Sequence, residues 1–139
     1  METVRLPHAV AHQIRRHAEE SPGEEVCGLI AGDASGGMRC HPVRNVARDK
    51  SRFFEMDPRG QIEAMRAMRE RGEQLLGIYH SHPSSAAEPS RADVEQHEYP
   101  DALYVIVSLK EGVPALRAFR IRNQKVSEVV IDADRPITP

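Results

Sequence analysis

The sequence has few cysteines and few aromatic residues. It contains two cysteines, no tryptophan, three tyrosines and three phenylalanines among 139 residues. Cys27 and Cys40 do not form a Cys-x-x-Cys arrangement, and two isolated cysteines are expected to stay reduced inside a cell. This composition excludes a disulfide-rich secreted scaffold and is consistent with a cytoplasmic protein.

Long apolar runs are absent as well. The first residues, 1–5, lack the apolar core of a secretory signal, and no stretch approaches the length needed to span a membrane. The formal net charge of -2 and the pI near 6.4 provide no broad positive surface for nucleic acid. We therefore expect neither a membrane partner nor a nucleic-acid partner.

The length and composition fit one small globular domain covering residues 1–139. Charged residues make up 29% of the chain and hydrophobic residues 40%, which is ordinary for a chain that buries its own core. No internal repeat or low-complexity segment divides it. A second domain is not expected.

Apolar residues recur at helical spacing in two segments. The first helix is predicted over 6–20, and the second begins at Asp57 and Pro58 and ends at Gly72. A third, short helix is predicted over 90–98. The expected buried positions are Val10, Ile14 and Ala18 in the first helix and Ile62, Met65 and Met68 in the second.

Short apolar runs bounded by glycine and turn residues predict strands between these helices. The run that ends at Gly32 and the following segment 38–43 are separated by Asp33–Gly37, which predicts an antiparallel hairpin. The remaining predicted strands are 76–82, 103–109, 115–121 and 126–132. The pattern indicates an α/β fold with a mixed, largely antiparallel sheet flanked by helices.

Two histidines lie at the end of one predicted strand, in the sequence His80-Ser81-His82-Pro83. Side chains two apart on a strand share a face, so both imidazoles point to one place. Asp93 follows closely and adds a carboxylate. Three protein ligands with a fourth position left to water are typical of a catalytic zinc site.

The segment that contains Asp93 has a second interpretation. Ser90 followed three residues later by an acid is the pattern of a helix N-cap. A helix start can fix Ser90 in space while Asp93 turns toward a metal, so the two interpretations are compatible.

A hydrolytic metal site also needs a base. Zinc lowers the pKa of its bound water, and a nearby carboxylate can accept the proton and later deliver it to a leaving amine. Glu24 and Glu25, at the entry to the strand that ends at Gly32, are the candidates. Their spacing does not distinguish one from the other.

Together these residues resemble the JAMM motif of the MPN (JAB1/MPN/Mov34) metalloproteases. The resemblance rests on the segment 25–29 (EVCGL) and on the segment 80–93, and it spans essentially the whole chain. It implies the MPN fold, which is cytidine-deaminase-like, and it implies Zn²⁺ as the cofactor. It assigns zinc binding to His80, His82 and Asp93, general acid–base catalysis to Glu25, and stabilisation of the oxyanion to Ser90.

The resemblance also implies a substrate class. Members of the family cut the amide or isopeptide bond after the C-terminal glycine of ubiquitin-like or sulfur-carrier proteins. The segments 45–47, 53–58 and 101–108 resemble the group of sulfur-carrier cysteine peptidases. We expect the C-terminal tail of such a carrier as the partner, and a homodimer is compatible with the resemblance.

Two functions from other classes compete with the hydrolase. A non-catalytic MPN scaffold that binds a partner protein usually lacks part of the ligand set, which is complete here. A zinc nucleobase deaminase requires a Pro-Cys-x-x-Cys segment, which is absent. Cys27 as a nucleophile competes with a role as a small core residue, and Phe53-Phe54 fits either a peptide groove or the core.

Overall fold

The computed structural model describes residues 1–133, and of Ala133 only the backbone. Three helices and seven strands are formed in this part of the chain. In chain order they are β1 (Thr3–Leu6), α1 (His8–Glu20), β2 (Cys27–Gly32), β3 (Met38–Val43), α2 (Pro58–Glu70), β4 (Gln74–His82), α3 (Arg91–Gln96), β5 (Leu103–Ser108), β6 (Ala115–Arg122) and β7 (Lys125–Ala133).

The seven strands form one mixed sheet in the order β1-β7-β6-β5-β4-β2-β3. Two neighbouring pairs are parallel, β1 with β7 and β4 with β5, and the other four are antiparallel. The predicted mixed and largely antiparallel sheet is therefore confirmed. Strand β1 was not predicted, and it shortens the first helix, which begins at His8 after Pro7.

The two longer helices cover opposite faces of the sheet. Ile14 and Ala18 of α1 pack with Tyr79 of β4, whereas Met68 of α2 packs with Ile78 of the same strand. Successive strand residues point to opposite faces of a sheet. Helix α1 therefore lies on the face of Tyr79, and α2 lies on the face of Ile78. No helix within residues 1–133 is long and apolar enough to cross a lipid bilayer.

One predicted core residue of α2 is exposed. Ile62 is 60% exposed, whereas Met68 is 3% exposed and Ala64 and Met65 pack at the edge of the same cluster. At 3.6 residues per turn, Ile62 lies about 120° around the helix from Met68. Because α2 contacts the sheet at β3 and β4, its buried stripe is too narrow to include Ile62.

Strand β2 approaches β4 closely because it carries Gly28. Gly28 lies opposite Tyr79, and a Cβ atom at this position would collide with the Tyr79 ring. The Tyr79 hydroxyl in turn lies 2.7 Å from Nδ1 of His17. His17 is therefore partly buried, and burial lowers its pKa.

Candidate metal centre

The two histidines of the motif lie at the end of β4, in the interior of the sheet. His80 pairs with Cys27 of β2 on one side and with Ile106 of β5 on the other. Both imidazoles point to the face that also carries Ile78, and His80 and His82 are 1% and 2% exposed. Their Nε2 atoms are 3.1 Å apart. The predicted alternation on a strand thus brings two nitrogen donors to one buried point.

Asp93 joins the histidines from the first turn of α3. Its Oδ2 atom lies 3.0 Å from His80 Nε2 and 3.2 Å from His82 Nε2. The same oxygen accepts a hydrogen bond from the backbone N–H of Ser90 at 2.8 Å, while the Ser90 hydroxyl accepts one from the Asp93 N–H at 3.0 Å. This reciprocal capping box orients the Asp93 carboxylate. The helix cap and the contact with the histidines are made by the same side chain.

Glu25 reaches the cluster from the residue pair that precedes β2. Its backbone N–H donates to the carbonyl of Lys50 at 2.6 Å. The next residue, Val26, is tied to Ser81 by two hydrogen bonds, from its N–H to the serine hydroxyl and from the Ser81 N–H to its carbonyl. Glu25 is 5% exposed, whereas Glu24 is exposed. One donor atom each from Glu25, His80, His82 and Asp93 lies within 4.8 Å of the others.

Burial sets the electrostatics of this cluster. The pKa of Glu25 is raised from 4.5 to about 8, chiefly because burial removes water from the carboxylate. His82 opposes this rise, and the carboxylates of Asp93 and Asp49 contribute to it. Burial also disfavours charge on His82 and on Asp93. The hydrogen bonds of His82 to Asp93 and to the Ala86 carbonyl outweigh its burial, so the pKa of His82 is raised. For Asp93 the neighbouring His80 and His82 outweigh its burial, so its pKa is lowered.

The donor atoms fit a divalent metal ion. His82 Nδ1 lies 2.8 Å from the carbonyl of Ala86, and since a carbonyl only accepts, Nδ1 carries a hydrogen. In the neutral imidazole, Nε2 then carries a lone pair and can only accept a hydrogen bond. It faces the Asp93 carboxylate, which also can only accept. A cation between them resolves this conflict. Within residues 1–133, Glu25 Oε1 and His80 Nδ1 are buried without a hydrogen-bond partner.

A groove of about 770 Å³ leads to this cluster. One wall is formed by the segment 47–56 and the other by residues 92–99. Phe54 stacks on the His80 ring at a centroid distance of 4.3 Å, and Phe53 also lines the groove with 42% exposure. Both phenylalanines line the groove, and Phe54 also packs against the core cluster that contains Ile78 and Met68, so the structure shows a feature of each predicted role.

Comparison with known proteins places the chain in a family. Residues 7–122 match the family described as prokaryotic homologs of the JAB domain. The chain belongs to this family. The resemblance to the JAB1/MPN/Mov34 group is thereby confirmed.

Two curated relatives of this JAB-domain protein have names that state an activity. The desampylase of Haloferax volcanii is 35% identical over 102 residues, which covers 72% of this chain and 73% of the relative. The CysO-cysteine peptidase of Mycobacterium tuberculosis is 37% identical over 115 residues, covering 81% of this chain and 78% of the relative. A JAB1/MPN domain protein from Archaeoglobus fulgidus has the same fold, with a TM-score of 0.58 at 15% identity over 97% of this chain and 100% of the other.

One structural residue of the JAB-domain site was missed from the sequence. The buried side chain of Asn45 donates to the carbonyls of Glu25 and Phe53 at 2.8 and 3.0 Å. Its Oδ1 atom accepts from the N–H groups of Ala47 and Glu55 at 2.9 and 3.0 Å. Asn45 thus joins the segment that carries Glu25 to the groove wall. No local pattern signals its contact with Glu25, because Glu25 precedes Asn45 by 20 residues.

Cys27 has the environment of a core residue in this JAB domain. Its side chain is fully buried and its thiol donates to the Val43 carbonyl at 3.3 Å. Burial raises its pKa to about 12, so the reactive thiolate is not formed near neutral pH. The structure therefore favours the core role of Cys27 over the nucleophile.

Proposed function

We propose that this JAB-domain protein is a zinc-dependent peptidase or isopeptidase that hydrolyses the amide bond after the C-terminal glycine of a ubiquitin-like or sulfur-carrier protein. The observation that carries the proposal is the buried cluster of Glu25, His80, His82 and Asp93 at the end of a groove. Two nitrogens and one carboxylate are a donor set that zinc accepts while it keeps a position open for reaction. The names of the two curated relatives support the substrate class.

His80, His82 and Asp93 are the proposed zinc ligands. Zinc held there would supply a Lewis acid that polarises the amide carbonyl and makes a neighbouring water more acidic. The burial of the two histidines and the capping box of Asp93 keep the donors in place before substrate arrives. The open groove beside His80 and Asp93 gives an extended tail access to the site.

Glu25 is the proposed general acid–base residue. Its Oε1 atom is buried without a partner, so it is free to accept the proton of the attacking water and then deliver it to the departing amine. Ser90 is the proposed donor to the carbonyl oxygen as negative charge develops there. Because its Oγ atom accepts from the Asp93 N–H, its own hydrogen remains available for this bond.

The proposal is tested with zinc-loaded protein and a small sulfur carrier that ends in Gly-Gly followed by a short extension. We expect mass spectrometry to detect a single cut after the second glycine. Glu25→Gln should retain zinc by elemental analysis and lose about a hundred- to ten-thousand-fold in rate, the range of general acid–base catalysis. Glu24→Gln is the matched control, since Glu24 is exposed, and it should keep the wild-type rate.

Two results would overturn the proposal. Glu25→Gln with normal turnover would remove the assigned base. A protein that takes up no zinc and cuts neither carrier tails nor branched conjugates, yet binds the carrier, would be a scaffold, the alternative function. A carrier with an isopeptide-linked lysine distinguishes the isopeptidase from the peptidase.

We infer that the protein acts in the cytoplasm. Both cysteines are free and buried, so the fold needs no oxidising compartment. A homodimer remains a prediction, and light scattering of the zinc-loaded protein tests it.

A further inference from the structure

The groove wall beside Glu25 carries an unused positive charge. Arg48 is the only arginine or lysine among the residues of the described chain that line the groove. Its side chain is exposed, and within residues 1–133 its guanidinium forms no hydrogen bond or ion pair. A guanidinium presents planar pairs of N–H donors that match a carboxylate. Arg48 is therefore free to bind an anion in the groove.

The backbone around Arg48 is fixed to the catalytic segment on both sides. On one side, the N–H of Ala47 donates to Oδ1 of Asn45 at 2.9 Å. On the other side, the carbonyl of Lys50 accepts from the N–H of Glu25 at 2.6 Å. Arg48 thus lies on a short stretch anchored directly to the residue proposed as the base.

The nearest acid in sequence does not neutralise Arg48. The Asp49 carboxylate accepts hydrogen bonds from the N–H and the hydroxyl of Ser51, at 3.2 and 2.6 Å. Other acids, such as Glu55 and Glu98, also line the groove. An anionic substrate group would meet repulsion from these carboxylates, and Arg48 is the side chain that can offset it.

We propose that Arg48 binds the terminal carboxylate of the residue that is released, so that the enzyme prefers a carrier extended by a single amino acid. This role of Arg48 rests on the proposed function, because the residue that it binds is the leaving group of that hydrolysis. A leaving residue joined through its α-amine carries a free carboxylate next to the scissile bond. A lysine that is part of a protein chain carries none there, so Arg48 favours the peptide bond over the isopeptide bond.

The test uses zinc-loaded enzyme and a carrier that ends in Gly-Gly-Ala, with either a free carboxylate or a carboxamide at its end. Alanine is chosen because its side chain cannot bind zinc. We expect the free acid to be cut about 5- to 20-fold more efficiently in kcat/KM, the size of one partly solvated charged hydrogen bond. Arg48→Gln should abolish the preference by lowering kcat/KM for the free acid to the level of the carboxamide. A further carrier has an aspartate before the two glycines. If Arg48→Gln lowers the cleavage of this carrier whether it ends in a carboxylate or in a carboxamide, Arg48 binds a side chain of the tail and the proposal is overturned.

Arg44→Gln is the matched control. Arg44 is exposed four residues earlier and does not line the groove, so its loss changes the net charge equally without touching the site. It should preserve the preference for the free acid. The preference of the wild type should also shrink as salt is raised, because an exposed ion pair is screened.

A second measurement reports binding without turnover. In the Glu25→Gln background, the carrier with the free carboxylate should bind more tightly than the carrier with the carboxamide. Adding Arg48→Gln should make the two affinities equal. Equal cleavage of both substrates by the wild type overturns the role of Arg48 and leaves the hydrolase in place. Absence of cleavage of either substrate by the zinc-loaded wild type overturns the proposed function together with this assignment.

Discussion

Phe54 lies nearly parallel to His80, with ring centroids 4.3 Å apart and an angle of 23° between the planes. The His80 ring is 1% exposed, and its Nδ1 atom has no hydrogen-bond partner within residues 1–133. A metal-binding histidine is usually oriented by a hydrogen bond from its second nitrogen. In this site the aromatic face of Phe54 restrains the ring.

We expect Phe54→Ala to loosen His80 and so to weaken zinc binding. Loss of an orienting neighbour typically costs about 10-fold or more in metal affinity. Phe54→Leu should have a smaller effect because it keeps apolar contact. Zinc release to a coloured chelator measures the change. Phe53→Ala is the control, because Phe53 is 42% exposed, and an equal loss of zinc in that variant would contradict the role of the stacked ring.

Ser90 has two roles that different substitutions separate. Glycine at an N-cap costs only a few tenths of a kcal/mol relative to serine, whereas alanine costs about 1 kcal/mol. Both remove the hydroxyl proposed to stabilise the developing negative charge. We expect Ser90→Gly and Ser90→Ala to lower kcat similarly, by about 10- to 100-fold, since zinc shares this task. Zinc content and thermal unfolding are measured in parallel, and a rate loss that follows stability alone would leave Ser90 as a cap only.

Asn45 is a positioning residue, since it contacts the backbone of Glu25 and the groove wall. Asn45→Asp keeps an oxygen for the N–H groups of Ala47 and Glu55 but loses the donor to the Glu25 carbonyl. We expect kcat to fall by about 10-fold with little change in KM, because a small misplacement of a catalytic group is costly. Asn45→Ala removes both functions and should also raise KM. Identical changes in the two variants would indicate a general loss of structure.

The buried carboxyl of Glu25 makes the stability of the metal-free protein depend on pH. Its pKa rises from 4.5 to about 8 on folding, so the folded state binds the proton more tightly than the unfolded state. This stabilisation is complete below pH 4.5 and is lost as pH rises through about 8. As pH rises from 4.5 to about 8, the free energy of unfolding of Glu25→Gln should therefore increase relative to that of the wild type.

We expect the stability of Glu25→Gln relative to wild type to rise by about 1–3 kcal/mol between pH 5 and pH 8. The amide buries its own unpaired donors, but that cost is the same at both pH values and cancels in the difference. Urea unfolding with a chelator present, at pH 5 and at pH 8, measures the difference. Parallel pH curves for the two proteins would contradict a raised pKa at Glu25.

The parts of the site that depend on local spacing could be predicted from the sequence. His80 and His82 share a face because strand residues alternate, and Ser90 and Asp93 form a cap because they are three residues apart. Such relationships need no knowledge of distant chain segments. Selection of Glu25 over Glu24 came from the family resemblance, and the structure places Glu25 within the buried cluster.

The long-range relationships could not be predicted in this way. Strand β1 pairs with β7, whose residues come more than a hundred positions later, and Asn45 reaches back to Glu25. Neither pairing has a local periodicity. The prediction that Ile62 is buried was wrong for a related reason. The width of the buried face of a helix depends on how many strands the helix contacts, and local spacing does not reveal this.

The two clustered histidines lie on β4, which has β2 on one side and β5 on the other, whereas β1 and β3 form the margins of the sheet. Amide hydrogens around Ile78 and Tyr79 should therefore be among the slowest to exchange with deuterium, since interior strands open only with the whole domain. Fraying at the margins would leave the catalytic geometry intact. A harmful substitution in β1 should then reduce how many molecules are folded, while each folded molecule keeps its normal turnover.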